Sequence, residues 1–231
     1  MRNPLISALL ATALLQACAG LLAQSSITYR AGLKSFTLPP PTSGLVEAGP
    51  DYRVMFEQLA PTANRLIAAF SQPADLEILR AEGGAALGTY ALVEVPRRAE
   101  FNDISPEQFK QIAESMGTQF GASVVATLKD QQDEINRRLK ALNSAPGDVT
   151  LDKPVQLGTL FSKPDACAYG MLMSVSTGNK SKKMAMGLTL LRVQSRILFV
   201  YTYTEYKDES TVQWIRTTDE HWADIILQSN K

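Results

Sequence analysis

The chain has 231 residues, 23 of them basic and 23 acidic, with one histidine and two cysteines. That balance, with no long basic cluster, gives no electrostatic basis for nucleic-acid binding, which needs a concentrated positive surface. A single histidine excludes multi-histidine zinc sites, and two cysteines exclude a disulfide scaffold.

The chain opens MRNPLISALLATALLQACAGLLAQ, and Arg2 is the only charge before Arg30. A basic start, an apolar middle from Leu5 to Leu15 and a small-residue end are the order of a secretory signal. A permanent membrane helix is the rival, since Pro4 to Ala23 just reaches the roughly 20 residues that a span needs. The triplet Ala17-Cys18-Ala19 and the lack of a basic flank after Gln24 favour a cleaved signal over 1–23, and therefore export. Cleavage sites follow Ala19 and Ala23. A third route is open, because Leu15-Gln16-Ala17-Cys18 resembles a bacterial lipobox, in which the Cys is lipidated and becomes the new N-terminus. The apolar AGLLA after Cys18 departs from the small polar residues that usually follow such a Cys. Cys18 is thus either removed or lipid-bound. Cys167 then lacks an intrachain partner, and its apolar flank predicts a buried, inert thiol.

Residues 24–50 carry Pro39-Pro40-Pro41 and read as an extended lead-in or tether, with at most a short edge strand at Phe36–Leu38. One domain is expected over 51–231. Asn64–Phe70 reads as a strand, Pro73–Arg80 as a short helix, Gly83-Gly84 as a break and Thr89–Pro96 as a second strand. A helix then starts at Ser105, with Pro106 at its first position and Gln108 closing a capping box. Phe109, Ile112, Met116, Phe120, Val124, Leu128, Ile135, Leu139 and Leu142 keep helical spacing on one stripe. Gly117 and Gly121 predict a kink or a close approach. Asp133–Arg137 and Glu134–Arg138 are acid-before-base pairs of a solvated face.

Val149–Phe161 holds one or two short strands. Ala168–Ser176, Met184–Arg192 and Arg196–Tyr206 follow as antiparallel strands joined by hairpin turns. A closing helix over Glu209–Ser229 returns Trp214, Trp222, Ile225 and Ile226 to the sheet, and Thr218 inside it is a potential restart. The expected class is α+β: a mainly antiparallel β-sheet flanked by helices.

The first hairpin has two unlike faces. With its turn centred between Asn179 and Lys180, Val175 faces Met184, Met173 faces Met186 and Met171 faces Leu188 on a bulky, thioether-rich side. The other side pairs Ser174 with Ala185, Leu172 with Gly187 and Gly170 with Thr189. For the bulky side a soft-metal site competes with an ordinary core, where Met fills irregular gaps, and the core has more support because no His or Cys lies in the set. For the bare side, a groove over Gly170, Ser174 and Gly187 competes with a helix packed closely on small residues.

Catalytic and cofactor patterns do not emerge. His221 has no nucleophile at a readable spacing, and G-x-S-x-G is absent. Gly83–Gly88 lacks the dinucleotide spacing, and the turn at Gly178–Ser181 lacks a phosphate-loop frame. Lys180-Ser181-Lys182-Lys183 reads as a solvated hairpin tip. Glu57, Glu77 and Glu94 cannot be paired by spacing, so a two-carboxylate hydrolase stays open without support.

The close of the chain, RILFVYTYTEY followed by a helix ending WADIILQSN, is similar to the last strand and helix of Mog1/PsbP-like domains. The resemblance implies an antiparallel sheet flanked by helices in a mostly non-catalytic accessory or binding protein, and no motif carries a functional residue across. The expectation is an exported cell-envelope protein, periplasmic or secreted, that binds an envelope protein or a small ligand without a cofactor. It meets the membrane only if Cys18 is lipidated. The alternatives are an envelope hydrolase and a structural lipoprotein.

Overall fold

Strands whose side chains are apolar on both faces need cover on both faces, and here one helix with a β-hairpin covers one face of a sheet and three helices cover the other. The computed structural model describes residues 28–82, 87–141, 148–178 and 180–231. Residues 1–23, read above as a signal, with Cys18, the Gly83-Gly84 break, Leu142 and Asn179 lie outside the described residues.

In chain order the elements are β1 (Thr28–Ala31), β2 (Lys34–Thr37), β3 (Val46–Glu47), α1 (Pro50–Leu59), β4 (Asn64–Ser71), α2 (Pro73–Glu82) and β5 (Tyr90–Pro96). There follow α3 (Pro106–Ala141), β6 (Val149–Leu151), β7 (Val155–Lys163), β8 (Ala166–Thr177), β9 (Lys180–Val193), β10 (Arg196–Glu205) and α4 (Glu209–Ser229). The main sheet has eight strands in the order β3-β4-β5-β10-β9-β8-β6, and β7 shares the outer edge of β8 with β6. Its pairings are all antiparallel. The α+β class is therefore as expected, and no helix of the described residues is long and apolar enough to cross a membrane.

One face carries α4 and the β1–β2 hairpin. Asp208 caps α4 by accepting from the Ser210 amide at 2.8 Å, while the Thr211 hydroxyl accepts from the Lys207 amide at 3.1 Å. The helix runs unbroken through Thr218, which is buried rather than a restart. Trp222 is wholly buried, packs edge-on against Phe70 at 5.7 Å and donates its indole N–H to the Pro39 carbonyl at 2.7 Å.

Asn230 clamps Thr37 from both sides, accepting from its amide at 2.9 Å and donating to its carbonyl at 2.8 Å. Much of the stretch read as a tether is thus docked: Tyr29, Phe36, Leu38 and Leu45 join the same core cluster as Trp222. Their partners lie at the far end of the chain, where local spacing cannot show them.

The other face carries α1, α2 and α3. Ser105 and Gln108 form the expected capping box, the Ser105 amide donating to Gln108 Oε1 at 2.8 Å and the Gln108 amide to Ser105 Oγ at 3.2 Å. Glu134 pairs with Arg138 at 3.3 Å as expected, whereas Arg137 reaches Glu134 instead of Asp133. At its 36 residues α3 is about 54 Å long and carries the chain from the middle of the sheet to its far edge. There its side chains act as a neighbouring strand for β6. Asn136 exchanges two hydrogen bonds with the backbone of Val149, at 2.7 and 2.8 Å, and Gln132 accepts from the Leu151 amide at 2.8 Å. An edge that would otherwise expose unpaired amides is covered.

The closest helix–sheet approach is at Gly187. A Cβ there would lie 1.8 Å from Asp219 Oδ2 and 2.9 Å from Ile215 Cγ2 of α4. Gly187→Ala should force α4 outward and destabilise the protein by about 1–3 kcal/mol, read as a lowered Tm in thermal denaturation. An unchanged Tm would mean that α4 does not rest on this glycine.

Candidate functional site

The β8–β9 register differs from the sequence reading by two residues: Met171 pairs with Met186, Met173 with Met184 and Gly170 with Gly187. The reason is the turn. Thr177 pairs with Lys180, leaving a two-residue loop in which Gly178 has φ +57°, the conformation that tight hairpins require of this position. A slip of two keeps every side chain on its expected face, so the contrast between the faces survives.

On the bare face, the approach that glycine permits is made by the chain itself. Gly187 lies under Asp219 and Ile215, and Gly170 lies under Leu157 and Leu160 of β7. Ser174 is half-buried and pairs with Lys183. A groove over Gly170, Ser174 and Gly187 is therefore filled at both glycines.

The open space lies on the bulky face. Helix α3 is held down at both ends. Near its start, Phe109 packs in a cluster with Cys167, Tyr169, Leu190 and Ile197. Tyr169 donates to the Ala113 carbonyl at 2.6 Å beside Gly117, where an added Cβ would lie 3.2 Å from the phenol oxygen. The glycine thus serves a close approach. Near the other end, Arg138 donates to the carbonyls of Ala60 at 2.9 Å and Glu57 at 3.2 Å, in and just after α1.

Between these clamps the helix stands on Met and Tyr side chains. Beneath it lies a cavity of about 230 Å³, lined from the sheet by Met171, Met173, Met184, Met186, Tyr90, Tyr201 and Tyr203 and from the helix by Val124, Leu128, Gln131 and Ile135. Four of the chain's seven methionines reach it. Tyr90 and Tyr203 stack at 4.5 Å, and Tyr201 continues the row at 6.2 Å from Tyr203.

Among the described residues, one charged side chain enters this lining. Glu94 follows Tyr90 and Leu92 on the same side of β5, is 1% exposed, and accepts from Asn64 Nδ2 at 2.7 Å. Burial pushes its carboxyl up to about 7, against the Asn64 hydrogen bond and the Arg138 charge. Burial also pushes the Tyr201 and Tyr203 phenols well above their ordinary value, so they stay protonated. Sequence spacing could not single out Glu94, since its setting is made by β4, β10 and α3.

Other sequence candidates go elsewhere. Cys167 is buried and burial pushes its thiol up, as expected of an inert side chain. His221 is exposed on α4. The basic run at the hairpin tip is partly engaged, Lys182 donating to the Leu87 carbonyl and Lys183 lying 4.6 Å from the Tyr206 ring centroid. A larger depression of about 770 Å³ between the first turns of α3 and β7–β8 is an open trough bordered by charged side chains such as Lys110 and Lys163.

A second buried carboxyl lies on the opposite face. Asp219 of α4 is 1% exposed, and its oxygens make no hydrogen bond of ordinary geometry among the described residues. Burial pushes it up to about 7, opposed by the nearby Thr202 hydroxyl. Both carboxyls thus have folded-state values above the unfolded ones near 4. The folded chain keeps protons that the unfolded chain has already lost, so stability falls as pH rises from about 4 to about 7 and levels off above.

Each group contributes a slope of about 1.4 kcal/mol per pH unit in that window. Glu94→Gln and Asp219→Asn should each flatten the loss, so that denaturant unfolding at pH 5 and pH 7 separates them from the wild type. Parallel curves for the wild type and both variants would show that neither carboxyl is protonated in the fold.

No family model and no curated protein matches the chain. Among solved structures it is similar to the Ran-binding protein Mog1p of Saccharomyces cerevisiae, at 11% identity over 89% of this chain and 93% of that one, with a TM-score of 0.29. It is also similar to a point mutant of protein Mog1, at 12% identity over 88% and 93%, with a TM-score of 0.30. Both carry the Mog1 name that the closing strands and helix suggested, at identities and TM-scores too low to carry an argument about this chain.

Proposed function

We propose that the chain is an exported, non-catalytic binding protein that holds a small, largely apolar molecule between α3 and the sheet. The observation that carries this reading is the cavity of about 230 Å³ lined by methionine, tyrosine and aliphatic side chains around one carboxyl. Ligand sites have that character: mostly apolar walls and a few polar groups that set orientation. The export half rests on residues 1–23, read from sequence. Two-carboxylate hydrolysis has less support, because Glu94 is the one acidic side chain in the lining among the described residues, whereas that chemistry uses a pair. A structural lipoprotein would turn on Cys18.

Two measurements test the proposal. Intact mass of the chain recovered from a bacterial envelope should show a mature start at Gly20 or Gln24, or an acylated Cys18; an unprocessed Met1 would overturn export. Benzyl alcohol should raise the Tm of the wild type in a concentration-dependent way. Leu128→Phe, which fills the cavity from the helix side, should abolish that response while its own Tm is unchanged or higher. Absence of any response in the wild type to benzyl alcohol and to its charged counterpart benzylamine alike, or an equal response in Leu128→Phe, would overturn the cavity as a ligand site.

A further inference from the structure

The cavity lining has a sign. Among the described residues it contains one carboxyl, four thioether sulfurs that can only accept, three phenol rings whose faces carry negative potential and the neutral Gln131, but no lysine, arginine or histidine. Arg138, whose charge acts on Glu94, donates to the Glu57 and Ala60 carbonyls and pairs with the Glu134 carboxylate, and among the described residues it forms no ion pair with Glu94. Among the described residues, Glu94 is hydrogen-bonded by Asn64 alone. A buried carboxylate without a direct counter-ion is costly, and a partner that brings a positive charge removes that cost.

Resting on the cavity reading above, we infer that the ligand is a small organic cation, an aryl- or alkylammonium whose charge lies against Glu94 and whose apolar body lies among the methionines and tyrosines. Size points the same way. At about 30 Å³ per water, the space of about 230 Å³ holds roughly eight non-hydrogen atoms, enough for one ring or a short chain with an ammonium group but not for a peptide or a lipid. The tyrosine row beside Glu94 adds cation–π attraction for an ammonium that a neutral molecule does not gain. An uncharged ligand accepting a hydrogen bond from neutral Glu94 is the rival, and it makes the opposite forecast about charge.

The titratable and charged groups around Glu94 are Tyr90 on its own strand, Tyr201 and Tyr203 on β10, and Arg138 with Glu134 on α3. Both tyrosines of β10 stay protonated across the neutral range and Arg138 stays charged, so the pH response of the pairing belongs to Glu94.

Benzylamine and benzyl alcohol have nearly the same shape and differ in charge, so isothermal titration of both on the wild-type protein at pH 8 isolates the ammonium. Benzylamine should bind at least tenfold more tightly, and the ratio should shrink at pH 5.5 as Glu94 takes a proton. Glu94→Gln should bring the two affinities within about threefold, and Leu128→Phe should weaken both. Benzyl alcohol binding as tightly as benzylamine at pH 8 would overturn the cation while leaving the cavity reading intact. If neither binds, the cavity reading fails and the cation with it. The wild-type comparison needs no variant, so it decides between cation and neutral ligand even if the Glu94→Gln protein fails to fold.

Discussion

The unequal faces of the β8–β9 hairpin govern the architecture. On one face Gly170 and Gly187 sit opposite each other and leave nothing between the strands and whatever covers them. Helix α4 comes down until its Asp219 and Ile215 fill the space of a missing Cβ, and β7 does the same over Gly170 with Leu157 and Leu160. On the other face the same two strands present Met171, Met173, Met184 and Met186, and the neighbouring strands add Tyr90, Tyr201 and Tyr203. A helix cannot close on side chains of that length. Held down at its two ends, α3 spans them, and the space between is the cavity. Packing and site have one origin.

That asymmetry was visible in the sequence because it needs only period-two alternation, which a register error of two residues leaves untouched. The start of α3 was legible for a similar reason, since Ser105, Pro106 and Gln108 act within a few residues of themselves, and Trp214, Trp222, Ile225 and Ile226 marked α4. What escaped depends on distant partners. Phe36 and Leu38 look like parts of a tether until Trp222 and Asn230 are beside them. Helix α1, absent from the sequence reading, buries Phe56 and is tied to Arg138 by the carbonyls of Glu57 and Ala60 at its end. Glu94 carries no local signal at all, for its neighbours Asn64, Tyr201 and Arg138 come from three other elements.

The polar contacts of α3 bear on how the cavity is reached. Asn136 and Gln132 serve as a surrogate strand for β6, and Arg138 ties the same stretch to the end of α1. These bonds locate the helix end without filling the space beneath its middle, where Val124, Leu128 and Ile135 are only half-buried. A bundle of apolar contacts alone would have favoured collapse of the helix onto the sheet, because every void forgoes attraction along its walls. Directional bonds at one end and the Phe109 cluster at the other make the stand-off sustainable.

The two buried carboxyls separate structure from function within this fold. Asp219 and Glu94 are each 1% exposed, and burial raises both to about the same value. Alone, either would be read as a functional acid, since buried titratable groups break a folding rule and such breaks gather at sites. Their surroundings differ in one decisive way. Asp219 rests on Gly187 between the packed α4 and the sheet, with no space for another molecule, so its burden falls on stability alone. Glu94 carries the same burden but borders a cavity with no basic side chain in its walls among the described residues. Only a group that can reach a second molecule can be relieved by one, and that criterion, rather than the raised carboxyl itself, assigns the site to Glu94.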